Sequence, residues 1–128
     1  MAKIAFYSVK PWEQEYLKGI LKGHRLFFSG ERLDDAKLPA PSDAEILSVF
    51  VDSEMTKKML DCFPQVKCIT TRSTGFDHID IDTCKERNIT VMNVPSYGEN
   101  TVAEYVFALL LALSRKIYIA YEQVREEG

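Results

Sequence analysis

The chain has 128 residues, 46% of them hydrophobic, and sixteen basic against nineteen acidic side chains leave a net charge of -3. That length and composition suit one compact fold with an apolar core. They give no attractive field for nucleic acid or anionic lipid, so small-molecule or protein partners are expected, with no nucleic acid and no membrane.

The opening residues, MAKIAFYSVKPWEQE, lack the apolar run of a secretory signal, and a cytoplasmic protein is expected. KIAFYSV (3–9) is a run of strand-forming residues. Pro11 then opens PWEQEYLKGILKG, in which Trp12, Tyr16 and Ile20, with Leu17 and Leu21, recur at helical spacing. HRLFFSG (24–30) predicts a second strand, and the prolines and charges of ERLDDAKLPAPSD predict a surface connection. EILSVFV (45–51) is apolar almost throughout, as in a strand covered on both faces. Asp52 and Ser53 are suited to cap the next helix, where Met55, Met59, Leu60 and Phe63 form one stripe before Pro64 ends it.

VKCITT (66–71) predicts the fourth strand and ITVMNV (89–94) the fifth. Between them IDIDTCKERN predicts a short helix closed by Asn88 in a left-handed turn. Strands alternating with helices imply an α/β fold: a five-stranded parallel sheet with helices on both faces and right-handed crossovers. From Thr101 to Glu127 no glycine or proline intervenes, so a single helix of about 40 Å is expected, opened by a capping box at Thr101-Val102-Ala103-Glu104. Its segment YVFALLLAL (105–113) is apolar all round and requires neighbours on every side. It is too short for a membrane span, so a second copy, a longer chain, or both are expected to cover it.

Cys62, Cys68 and Cys84 are odd in number and lack metal or redox spacing, which predicts buried free thiols. His24 and His78 have no ligand-spaced partner, and no metal site is expected.

In an open parallel sheet, ligands bind beyond the carboxyl ends of the strands. Arg72-Ser73-Thr74-Gly75 lies there, and its backbone N–H groups, with a glycine that permits close approach, suit a carboxylate or phosphate. An ordinary strand-to-helix turn with Asp77 as a local acceptor accounts for the same residues. NVPSYGENTVAE (93–104) lies on the same rim, with Tyr97 and Asn100 as polar groups facing a pocket. Alternatively, Asn100 or Thr101 caps the helix while Tyr97 packs over the loop.

TRSTGFDHIDIDTCKERNITVMNVPSYGENTVAEYVFALLLALSRKI (71–117) resembles the amino-terminal part of the D-isomer-specific 2-hydroxyacid dehydrogenases. Together, ILSVFV and PSYGENTVAE look most like the D-lactate dehydrogenase branch. The resemblance implies a flavodoxin-like substrate-binding domain over 1–100. It makes 101–128 a long helix at the junction with a nucleotide-binding domain and at a homodimer interface. It further implies NAD-dependent oxidation of small 2-hydroxy acids. On this resemblance the backbone at Thr74 and Gly75 receives the substrate carboxylate, Tyr97 and Asn100 line the substrate side, and Val102 makes apolar contact with the nicotinamide edge of NAD.

The family's G-x-G-x-x-G turn is absent from these residues, as are its catalytic arginine, acidic residue and histidine. Neither Arg72 nor His78 matches those positions, so the catalytic groups are expected beyond Gly128 and the 128 residues alone are expected to be inactive. A free-standing flavodoxin-like regulatory module, a phosphorylation receiver with Asp52 as acceptor, is the alternative. It lacks an acidic pair after the first strand and a lysine after the fifth. A flavin site would need a hydroxyl-rich loop where SVKPWE stands. As an assembly module, the chain would self-associate through YVFALLLAL.

Overall fold

The computed structural model describes residues 1–34 and 41–127. The described chain divides into two compact units, Met1–Pro95 and Ser96–Gly128.

The first unit is built on five parallel strands, β1 (Lys3–Phe6), β2 (Arg25–Phe28), β3 (Ile46–Val49), β4 (Cys68–Thr71) and β5 (Thr90–Met92), in the order β2-β1-β3-β4-β5. Register pairs Ala5 with Leu47, Leu47 with Ile69, and Ile69 with Val91. Because side chains alternate along a strand, this register puts one apolar row on one face. That row packs with Met59 and Leu60 of α2 (Lys57–Asp61) and Cys84 of α3 (Ile81–Glu86) to form the main core, in which Leu47, Leu60 and Ile69 are fully buried. The opposite face carries Ile4 and Phe6 against Leu17 of α1 (Pro11–Ile20), with Phe6 stacked on Phe28 at 5.1 Å between ring centroids. Helices therefore cover both faces, as the strand-helix alternation implied.

Several local expectations change. The second helix starts at Lys57, capped by Thr56, whose hydroxyl accepts the Met59 N–H at 3.2 Å. Ser53, expected as a cap, is fully buried and instead accepts the Leu33 N–H at 3.1 Å. A cap residue satisfies the first free amide it reaches, and Thr56 stands three residues before Met59. Asn88 adopts φ 55 after α3, the left-handed turn its position predicted. The expected connection over 31–43 has its middle, 35–40, outside the described residues. Cys84 is buried, whereas Cys62 and Cys68 are only half-buried, and all three thiols are free.

The second unit is helical, but the expected single helix is two: α4 (Glu99–Ser114) and α5 (Ile117–Glu127). Lys116 takes φ 53, and a left-handed residue ends the helical hydrogen-bond ladder. Just before it, the Ser114 hydroxyl donates to the Leu111 carbonyl at 3.3 Å, a local bond that competes with that ladder. The start differs as well. Gly98 is the N-cap, so Thr101 lies inside the first turn and neither it nor Asn100 caps the helix. No residue of α4 is buried. Among the described residues, no helix is long and apolar enough to cross a membrane.

Candidate functional site

The site grows from the end of β4. Strand alternation places Thr71 on the core face, where it is 1% exposed, and the chain then turns outward through Ser73, Thr74 and Gly75. β5 runs beside β4 with Thr70 opposite Met92, so the residues that follow β5 lie against this turn. The Val94 N–H donates to the Ser73 carbonyl at 3.0 Å, and Asn93 Nδ2 donates to the Thr74 carbonyl at 2.8 Å. Ser73 Oγ donates to the Gly75 carbonyl at 2.7 Å, and the Ile79 N–H to the Phe76 carbonyl at 3.0 Å.

Four successive carbonyls are therefore occupied. Among the described residues, the amide N–H groups of Thr74 and Gly75 donate to no protein acceptor, and both residues are exposed. Unpaired amides in an exposed turn, next to occupied carbonyls, give that turn a partial positive charge without a cationic side chain. Such a surface can accept a small anion.

Gly75 is not required by the backbone, since its φ lies outside the left-handed region. A Cβ built there would meet nothing closer than Asp77 Oδ2 at 3.6 Å, an ordinary contact. The space above the turn is open.

Arg72 turns away from this surface. Its guanidinium donates to the Tyr7 carbonyl at 2.8 Å, the Ser8 carbonyl at 2.9 Å and Ser48 Oγ at 3.0 Å, with Glu13 at 3.9 Å and the Phe50 ring beneath it. Burial lowers its pKa, and Glu13 and Asp52 oppose that shift. Arg72 thus ties the ends of β1, β3 and β4 together. A recess lined by Ser8, Lys10, Trp12, Phe50 and Arg72 opens beside it.

His78 lies beneath the turn with Nε2 3.0 Å from Thr71 Oγ1, which in turn lies 2.6 Å from Ser73 Oγ. Burial pushes the His78 pKa down against the pull of Asp77 and Asp52. Asp52 accepts Ser8 Oγ at 2.8 Å and 3.0 Å on its two oxygens. Among the described residues no group of three His, Cys, Asp or Glu is gathered as a metal site.

Thr74 and Gly75 thus share one loop of the first unit. Tyr97, 68% exposed, precedes α4 in the second unit, and Asn100 and Val102 stand in the first turn of that helix, also exposed. Asn100 borders a groove along α4 with Ala103, Phe107, Ala108 and Leu111. Sequence reasoning named Ser73 only for its backbone, did not single out Thr71 or Asn93, and set His78 aside. The available signal was a hydroxyl at every second position after Ile69, which strand alternation turns toward the core.

The model of the D-isomer specific 2-hydroxyacid dehydrogenase catalytic domain matches residues 4–126. A 2-hydroxyacid dehydrogenase homolog of Zymomonas mobilis is 32% identical over 98% of this chain and 39% of its own length. The D-lactate dehydrogenase of Escherichia coli is 30% identical over 97% of this chain and 39% of its own length. The chain therefore spans about two fifths of the length of these curated relatives. Among solved structures, the D-lactate dehydrogenase from Aquifex aeolicus, complexed with NAD and lactic acid, superposes with a TM-score of 0.87 at 33% identity, covering 96% of this chain and 37% of that one. The Asp52 receiver alternative has no support in these matches. With a family model spanning nearly all its residues and a fold that superposes on a D-lactate dehydrogenase, the chain belongs to the D-isomer specific 2-hydroxyacid dehydrogenases.

Proposed function

We propose that these residues form the substrate-binding part of an NAD-dependent D-2-hydroxyacid dehydrogenase acting on small, D-lactate-like 2-hydroxy acids. In this reading the amides of Thr74 and Gly75 hold the substrate carboxylate. The observation that carries it is the polarity of one turn: the carbonyls of Ser73, Thr74, Gly75 and Phe76 are all occupied, while the Thr74 and Gly75 N–H groups are open. A carboxylate binds such a pair through charge-assisted hydrogen bonds. The Aquifex aeolicus relative, crystallised with NAD and lactic acid, supports the same ligand class.

Tyr97 and Asn100 line the substrate side, and the helical segment over 101–127 serves the junction with a nucleotide-binding domain and a homodimer interface. Val102 is exposed and aliphatic, so it fits the nicotinamide edge as an apolar contact without a hydrogen bond. NAD supplies the hydride acceptor when bound. The residues present here fix the acid's carboxylate and leave the proton transfer to groups outside them.

The test is Gly75→Val in the full-length dehydrogenase. We expect the Michaelis constant for a 2-oxo acid to rise about tenfold or more, because the valine side chain obstructs the carboxylate's approach to amides that it leaves in place and so weakens a charge-assisted hydrogen bond, with that for the dinucleotide little changed. Because a Cβ at Gly75 meets only Asp77 Oδ2 at 3.6 Å, Gly75→Ala should leave the melting temperature nearly unaltered. Equal effects on both Michaelis constants would remove the carboxylate assignment.

A further inference from the structure

We infer that His78 is a positioning residue for the anion-binding turn, aiming the Thr74 and Gly75 amides outward through a directed chain of hydrogen bonds. This inference rests on the carboxylate role proposed above for that turn.

The direction follows from counting protons. A carbonyl only accepts, so at the 2.7 Å contact between Ser73 Oγ and the Gly75 carbonyl the serine hydroxyl spends its single proton. At the 2.6 Å contact with Thr71 Oγ1, Ser73 must then accept, and Thr71 spends its own proton there. What remains for Thr71 at the 3.0 Å contact with His78 Nε2 is an acceptor lone pair, so the imidazole donates from Nε2. The chain runs one way: His78 Nε2–H to Thr71, Thr71 to Ser73, Ser73 to the Gly75 carbonyl. A ring without a proton on Nε2 would leave two acceptors facing each other.

The chain is shielded and firmly mounted. Thr71 and Ser73 are 1% and 4% exposed, so water does not readily replace either partner. The His78 carbonyl accepts the Met55 N–H at 2.7 Å and the Asp80 N–H donates to the Met55 carbonyl at 3.0 Å, a short parallel bridge that anchors the ring's backbone to a fully buried residue. Burial holds the His78 pKa below the ordinary histidine value, so at neutral pH the ring carries one N–H, and Thr71 selects the nitrogen that bears it. The bond from Ser73 Oγ to the Gly75 carbonyl closes a ring across Thr74, and so restrains the two planar peptide units between them, Ser73–Thr74 and Thr74–Gly75, that carry the Thr74 and Gly75 amides.

Two measurements on the full-length dehydrogenase test this. Nitrogen-15 NMR of the His78 imidazole at neutral pH should show the proton on Nε2, and a proton on Nδ1 alone overturns the proposal without reference to any substrate. In steady-state kinetics, His78→Leu should raise the Michaelis constant for a 2-oxo acid about tenfold, as expected for one buried hydrogen bond, and that for the dinucleotide less than about twofold. His78→Gln, whose amide nitrogen can donate from a similar place, should recover most of the loss. Thr71→Val interrupts the same chain and should match His78→Leu, with the double variant no worse than either single one. Additive losses, no rescue by glutamine, or a lower melting temperature with an unchanged Michaelis constant each overturn the positioning role. A selective effect in Gly75→Val with none in His78→Leu removes His78 alone, whereas a nonselective Gly75→Val removes the carboxylate turn and this inference with it.

Discussion

Asn93 Nδ2 donates to the Thr74 carbonyl at 2.8 Å, joining the residue just past β5 to the turn past β4. This bond keeps the Thr74 carbonyl from facing the same side as its neighbouring amides, where it would repel an anion. Asn93→Ala should therefore raise the Michaelis constant for a 2-oxo acid several-fold while lowering stability by only about 1 kcal/mol, the ordinary worth of one half-exposed hydrogen bond. Kinetics and urea denaturation on the same variant separate the two effects. A stability loss with unaltered kinetics would mean that Asn93 serves the fold and not the turn.

Arg72 is predicted to be structural. Its guanidinium satisfies the Tyr7 and Ser8 carbonyls and the Ser48 hydroxyl together. Arg72→Met should cost roughly 2–3 kcal/mol in urea denaturation, because hydrogen bonds from a charged donor are lost and two carbonyls are left without it. Arg72→Lys should recover little, since a single ammonium cannot span acceptors that a planar fork reaches. A lysine variant as stable as the parent would contradict the bridging role.

Asp80 caps α3, accepting the Thr83 N–H at 2.9 Å and Thr83 Oγ1 at 2.7 Å. These bonds, the backbone one first, favour the ionised form and hold its carboxyl below the usual range. With the folded value below the unfolded one of about 3.9, the unfolded chain binds the proton more readily in acid. The stabilisation is complete above the unfolded value and is lost as pH falls through the folded value. Asp80→Asn should therefore lower the melting temperature at neutral pH and flatten its decline below about pH 4. A melting profile parallel to the parent's throughout would reject this assignment.

The homodimer proposed through the helical segment predicts a sharp response to charge on α4. Phe107 and Leu111, 62% and 53% exposed, stand one turn apart along the same groove. Replacing both with glutamate should weaken self-association of the full-length protein by about a hundredfold or more, because buried unpaired carboxylates are costly. Sedimentation at several concentrations reads this directly. An unshifted dimer would place the interface elsewhere.

The alternation of strands and helices was legible because each element carries its own period: the nearly continuous apolar run 45–51 contains β3, which is shorter at Ile46–Val49, and the stripe through Met59, Leu60 and Phe63 became core. Helix ends were less legible. Ser53 and Thr56 are both competent caps, and only the burial of Leu33 against Ser53 decides that Thr56 takes the role. The break at Lys116 was likewise hidden, since lysine has no marked preference for the left-handed region that it adopts at φ 53.

In the candidate site the sequence by itself determined residue types: a glycine turn rich in hydroxyls at the carboxyl end of a strand, and a family likeness that carried a ligand class with it. The tertiary structure alone decided which backbone groups in that turn are free. Partners such as Asn93 and Thr74 lie 19 residues apart, and Arg72 and the Tyr7 carbonyl 65 apart, so their meeting depends on the parallel register of strands distant in the chain. Local periodicity reports which way a side chain faces its own element. It says nothing about which distant carbonyl or amide that element will meet, and the openness of the Thr74 and Gly75 amides is a fact of that second kind.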